Sequence, residues 1–110
     1  PPRSTLFPYT TLFRSLEATF QLAARDYAGD IQFVCAVAKN DSLVFYHAEP
    51  VVIQPRSVDF AWEKVDLKIE FPFLPAEGEM KLFFWNRGTT EILVDDLNIE
   101  LKSYIRIGLW

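Results

Sequence analysis

Cysteine is nearly absent from this chain, and the single Cys35 excludes an internal disulfide and any metal knuckle built on paired thiols. Histidine is also alone. His47 has no second His and no Cys at ligand spacing, and no set of nucleophile and orienting acid surrounds it, which argues against an enzyme. The 4 glycines, at positions 29, 78, 88 and 108, are too scattered to cradle a phosphate. No apolar run approaches the ~20 residues that a membrane helix needs. Basic residues number 11 against 15 acidic ones, and the net charge of -4 argues against nucleic acid, whose phosphates want a basic face. Helical periodicity is missing as well, so the chain reads as all-β.

What is present is apolar and aromatic. Half of the 110 residues are hydrophobic and 15% are aromatic, enough for the core of one domain. Leu16–Ala23 alternates Leu16, Ala18, Phe20 and Leu22 against Glu17, Thr19 and Gln21, a half-buried strand. Ile31–Lys39 is apolar on both faces and reads as a central strand, with Cys35 as a small buried residue. Asn40-Asp41-Ser42 marks a tight turn, because Asn and Asp tolerate left-handed backbone, and Leu43–Ala48 returns antiparallel. Pro50 and Pro55 make Glu49–Ala61 a loop or crossover. In Trp62–Phe71, Val65, Leu67, Ile69 and Phe71 face in while Lys64, Asp66, Lys68 and Glu70 face out. Two further apolar runs, Met80–Trp85 and Ile92–Leu101, flank a short polar gap containing Gly88, the signature of a hairpin. The expected core comprises Phe20, Phe33, Val65, Leu67, Ile69, Leu82, Phe84, Leu97 and Ile99. About six such strands, in turn-separated succession, predict an antiparallel β-sandwich.

The first fifteen residues stand apart. Thr5–Ser15, TLFPYTTLFRS, matches in order the conceptual translation of a common short-read sequencing adapter, the other reading being a natural edge strand broken by Pro8. We therefore treat residues 1–15 as non-native, residues 16–104 as a partial sandwich domain and residues 105–110 as a tail or linker. An adapter joined at Ser15 implies an N-terminally truncated domain whose first strands are lost. Setting aside Arg3 and Arg14 from the 11 basic residues leaves nine against all 15 acids.

Trp62-x-x-Val65, the proline-containing connection, Met80-Lys81-Leu82-Phe83-Phe84-Trp85-Asn86 and Val94-Asp95-Asp96-Leu97 together resemble the C-terminal half of a galactose-binding-like jelly roll. Such domains are similar to the carbohydrate-binding-module and discoidin-like domains appended to secreted bacterial proteins. The resemblance implies a jelly-roll-like sandwich, secreted or held at the cell surface, with carbohydrate or a neighbouring domain as its partner. It also implies a structural calcium ion held by the aspartate of the last strand, here Asp95, for which Glu17 is the one further ligand we can name.

Read from the residues alone, alternation from Leu97, Ile99 and Leu101 places Asp95 on the core side and Asp96 outside. A buried carboxylate must be hydrogen-bonded, paired or metal-bound. Backbone or indole donors would satisfy Asp95 as well as calcium would. For a glycan, flat rings with a few polar groups are required, and Trp62, Phe83, Trp85 and Tyr46, with Asn86, Arg87 and Asp96, are the candidates. Two functions follow. One is a non-catalytic binding or accessory domain directed at glycans. The other is a structural sandwich packed on a neighbouring domain through its Phe83/Trp85 face. Exposed, coplanar rings at Trp62 and Trp85 would favour the first, and buried ones the second.

Overall fold

The computed structural model describes residues 4–9, 12–24, 30–52, 61–72, 74–75, 77–89 and 91–104. Among these are seven strands: β1 (Ser4–Tyr9), β2 (Phe13–Ala24), β3 (Ile31–Lys39), β4 (Ser42–Pro50), β5 (Glu63–Glu70), β6 (Gly78–Asn86) and β7 (Ile92–Ser103). They form a four-stranded sheet, β1-β6-β3-β4, and a three-stranded sheet, β5-β2-β7, with every pair antiparallel. The all-β sandwich expected from the alternation is what the chain adopts. One more strand beside β7 would make this the order of an eight-stranded jelly roll.

Only β3 and β4 are joined within one sheet. Their loop is Asn40-Asp41, both at positive φ (52° and 63°), the conformation that a two-residue hairpin turn demands. Every other connection crosses between sheets. β6 and β7 are therefore not the predicted hairpin. β6 lies between β1 and β3, where its two apolar faces suit an interior strand, and β7 lies beside β2. A gap of a few residues can either turn back within a sheet or arch over to the opposite one. Here the arch is anchored by the Arg87 N–H, which donates to the Asp30 carbonyl at 2.8 Å.

The core fills the space between the sheets. Leu16, Ala18, Phe20 and Leu22 of β2 face Phe33, Cys35 and Val37 of β3 and Met80 and Leu82 of β6, with Val65 and Ile69 of β5 at the side. Phe84 ties the layers together, its ring edge-on to Phe20 at 4.9 Å and to Phe33 at 5.2 Å. Leu67, Phe84 and Ile99 pack at the core margin. Leu97 does not belong to the core. It is 48% exposed, because β7 is bulged where Thr19↔Asn98 gives way to Gln21↔Asp95. Two residues, Asp96 and Leu97, then stand against Phe20, and the alternation running up from Leu101 breaks.

β1 and the first three residues of β2 fall within the adapter-like segment. β1 pairs with β6 from Ser4↔Phe83 to Tyr9↔Gly78, Phe13 packs at the core margin, and Ser15 is buried. Residues 53–60 of the expected crossover and the tail at 105–110 lie outside the described residues.

Candidate functional site

β6 builds the site because its alternation has two apolar sides. Met80, Leu82 and Phe84 point into the sandwich, which leaves Lys81, Phe83 and Trp85 on the outer side of the four-stranded sheet. Register carries that outer face across the sheet. Phe83 stands beside Val34 and Val34 beside Ala48, while Lys81 stands beside Ala36 and Ala36 beside Tyr46. Tyr46 thus shares the face with Phe83 and Trp85, two strands across the sheet, about 10 Å, and two and four residues along it, so that Trp85 stands roughly 16 Å away. Val34, between them, is fully buried although it is not part of the core between the sheets. Trp85 and Tyr46 are 40% and 50% exposed.

The end of this face is fixed by polar contacts. The Arg87 guanidinium lies 5.2 Å from the centre of the Trp85 ring, and its Nε is 3.5 Å from Asp30 Oδ2. Asn86 Oδ1 accepts the Gly88 N–H at 3.1 Å, so this amide shapes the arch. Lys81 Nζ lies 5.5 Å from the centre of the Phe83 ring. Lys81 and Asp30 were not among the sequence candidates. The spacing Lys81-x-Phe83-x-Trp85-x-Arg87 was the available signal for Lys81. Nothing local in the sequence pointed to Asp30.

The remaining candidates lie elsewhere. Trp62 is 49% exposed but precedes β5, in the other sheet. Asp96 lies on β7 at φ 53°, within the bulge. The same bulge corrects the placement of Asp95, which is exposed opposite Gln21 and not on the core side. Its Oδ1 accepts the N–H of the adjacent Asp96 at 2.8 Å, in an exposed position. Glu17 pairs across the sheet with Glu100, and its Oε1 lies 3.4 Å from Lys102 Nζ. Four residues of β2 separate Glu17 from the partner of Asp95, roughly 13 Å along the strand, so the two carboxylates do not converge. Among the described residues no group of three or more His, Cys, Asp or Glu side chains could hold a metal ion.

His47 Nε2 is 2.8 Å from Glu49 Oε2, and its ring stacks on Phe45 at 6.5 Å. Cys35 is wholly buried, and burial pushes its thiol up to about 12. A cleft of about 480 Å³ opens at the β3–β4 turn, lined by Lys39, Asp41, Glu77 and Glu79 among others, and contains none of the aromatic candidates.

No family model matches the chain, and neither a curated protein nor a solved structure matches it. Fold and geometry alone define the class: an antiparallel β-sandwich that displays an aromatic face on the outside of its larger sheet. No helix among the described residues is long and apolar enough to cross a membrane.

Proposed function

We propose that this chain is a non-catalytic glycan-binding domain of the galactose-binding-like kind, belonging to a secreted or cell-surface bacterial protein. The observation that carries the reading is the exposure of Trp85 and Tyr46 on one sheet face, with Phe83 next to Trp85 on the same side of β6 and Arg87 at its end. Flat rings with polar groups beside them are what sugar stacking requires. Calcium is not needed for this reading, because the face is built without Asp95 or Glu17.

Titration calorimetry of the full chain against a panel of plant and bacterial oligosaccharides tests it. Trp85→Ala should weaken any binding by about tenfold or more, while Trp62→Ala, in the other sheet, should leave it unchanged. Equal loss from both variants would remove the face from consideration. The structural reading uses the same rings differently, since a neighbouring domain would cover them. Protection of Trp85 from fluorescence quenchers when a neighbouring domain is joined to the chain, with no glycan bound, would favour it.

A further inference from the structure

We infer that the ligand of this face is an anionic oligosaccharide carrying carboxylate groups, and this rests on the glycan reading above. Lys81, Phe83 and Trp85 occupy alternate positions on β6, and Arg87 follows at the same interval beyond its end. The result is a ridge about 20 Å long, with a cation at each end and two rings between. Each cation lies over a ring, Lys81 over Phe83 and Arg87 over Trp85. A neutral pyranose stacks on a bare ring face, so it would have to displace both cations from positions they already find favourable.

A uronate need displace neither. Its carboxylates meet the cations, and the apolar side of its sugar rings meets Ala36 and the exposed Tyr46, which share the face across β3 and β4. A guanidinium suits a carboxylate best, since its planar fork of N–H groups can donate two parallel hydrogen bonds. Asp30 takes one side of Arg87 through Nε, which steadies the guanidinium beside the ring. The charge context points the same way. The chain is net -4, yet this ridge carries Lys81 and Arg87 in register, and Glu79, at the next alternate position, marks where it stops. The outer face of the other sheet interleaves both signs, with Lys64, Asp66, Lys68 and Glu70 on β5 alone, and offers an anion no comparable run.

Calorimetry on the full chain tests this with hexamers of galacturonate, mannuronate and glucuronate, each beside its carboxyl-reduced neutral counterpart. At least one uronate should bind about tenfold tighter than its counterpart, and its affinity should fall as salt shortens the screening length. Lys81→Gln and Arg87→Gln should each cost about fivefold or more on the uronate and nothing on the neutral sugar. Lys64→Gln, on the other sheet, should change neither. Equal or better binding of the neutral hexamers overturns the inference and leaves the glycan reading intact. No binding by any hexamer, charged or reduced, overturns both. Circular dichroism of each variant confirms that it folds, so a lost affinity is read only from folded protein.

Discussion

The two outer faces of this sandwich are built from the same alternation and come out opposite. On the three-stranded sheet, the residues pointing away from the core include Glu17, Thr19 and Gln21 of β2 and Lys64, Asp66, Lys68 and Glu70 of β5, a surface of mixed charge in which Leu93 of β7, beside Ala23, is the apolar exception. On the four-stranded sheet they include Val34, Ala36, Tyr46, Phe83 and Trp85. Burial of a single face is enough to hold a sheet in a sandwich, so a second apolar face is an addition that the fold does not require. That difference locates the site.

The largest effect expected is on the inner side of β6. Leu82→Ala should cost about 2–5 kcal/mol in chemical denaturation, because a buried leucine leaves a cavity. Phe83→Ala, one residue on but facing out, should cost clearly less. Equal costs would show that the outer face is buried as deeply as the core and would end the contrast. Cys35 comes next. Its thiol titrates near 12 in the fold, against 9.0 for an unperturbed thiol. The folded pKa is the higher one, so its contribution to stability is complete below about pH 9 and is lost as pH rises towards 12. Cys35→Ala should flatten that fall in a pH series of denaturation curves, and an unchanged slope would assign the alkaline loss to other groups.

Smaller effects belong to the charged sheet. Leu97→Ala should cost less than about 1 kcal/mol, since its half-exposed position in the bulge leaves little cavity. A loss of core size would mean that the bulge closes in solution. The smallest is Glu17. Its pairing with Lys102 is solvent-exposed and worth under about 1 kcal/mol, so Glu17→Gln should barely move the denaturation midpoint. With Glu17 and Asp95 held apart, calorimetric titration of the chain with calcium should show little heat. Tight binding would place ligands where neither carboxylate now stands.

Much of this architecture could be read from residue order. The alternations of β2, β3, β5 and β6 were each legible, because a strand with one or two apolar faces writes its burial directly into a period of two. Asn40-Asp41 announced its own turn. What was not legible was which sheet each strand joins. The run before Arg87 and the run after Glu91 look the same whether the chain turns back or arches across, and only the partners of β6 decide it. The phase of β7 was hidden for a different reason. A single residue at positive φ resets the alternation, and a binary pattern records no dihedral. Asp95-Asp96 was the clue, since Asp tolerates that conformation better than an apolar residue does. Tyr46 joins Phe83 and Trp85 only through the pairing of β4 on β3, which skips Val44 between Val37↔Phe45 and Ala38↔Leu43. Trp62 fails as a companion because its strand belongs to the other sheet.

The bulge in β7 also bears on how the protein behaves when crowded. β7 pairs with β2 along one side, and among the described residues no strand pairs with the other, a twelve-residue edge on which Leu93, Val94 and Leu97 are exposed. Long, flat apolar edges of this kind template the growth of aggregates. Asp96 interrupts the ladder near its middle, dividing the edge into two stretches shorter than a full strand, and sets two carboxylates beside the break. A foreign strand could follow either stretch but not both in one register. Asp96, at positive φ, therefore leaves no unbroken twelve-residue template along β7.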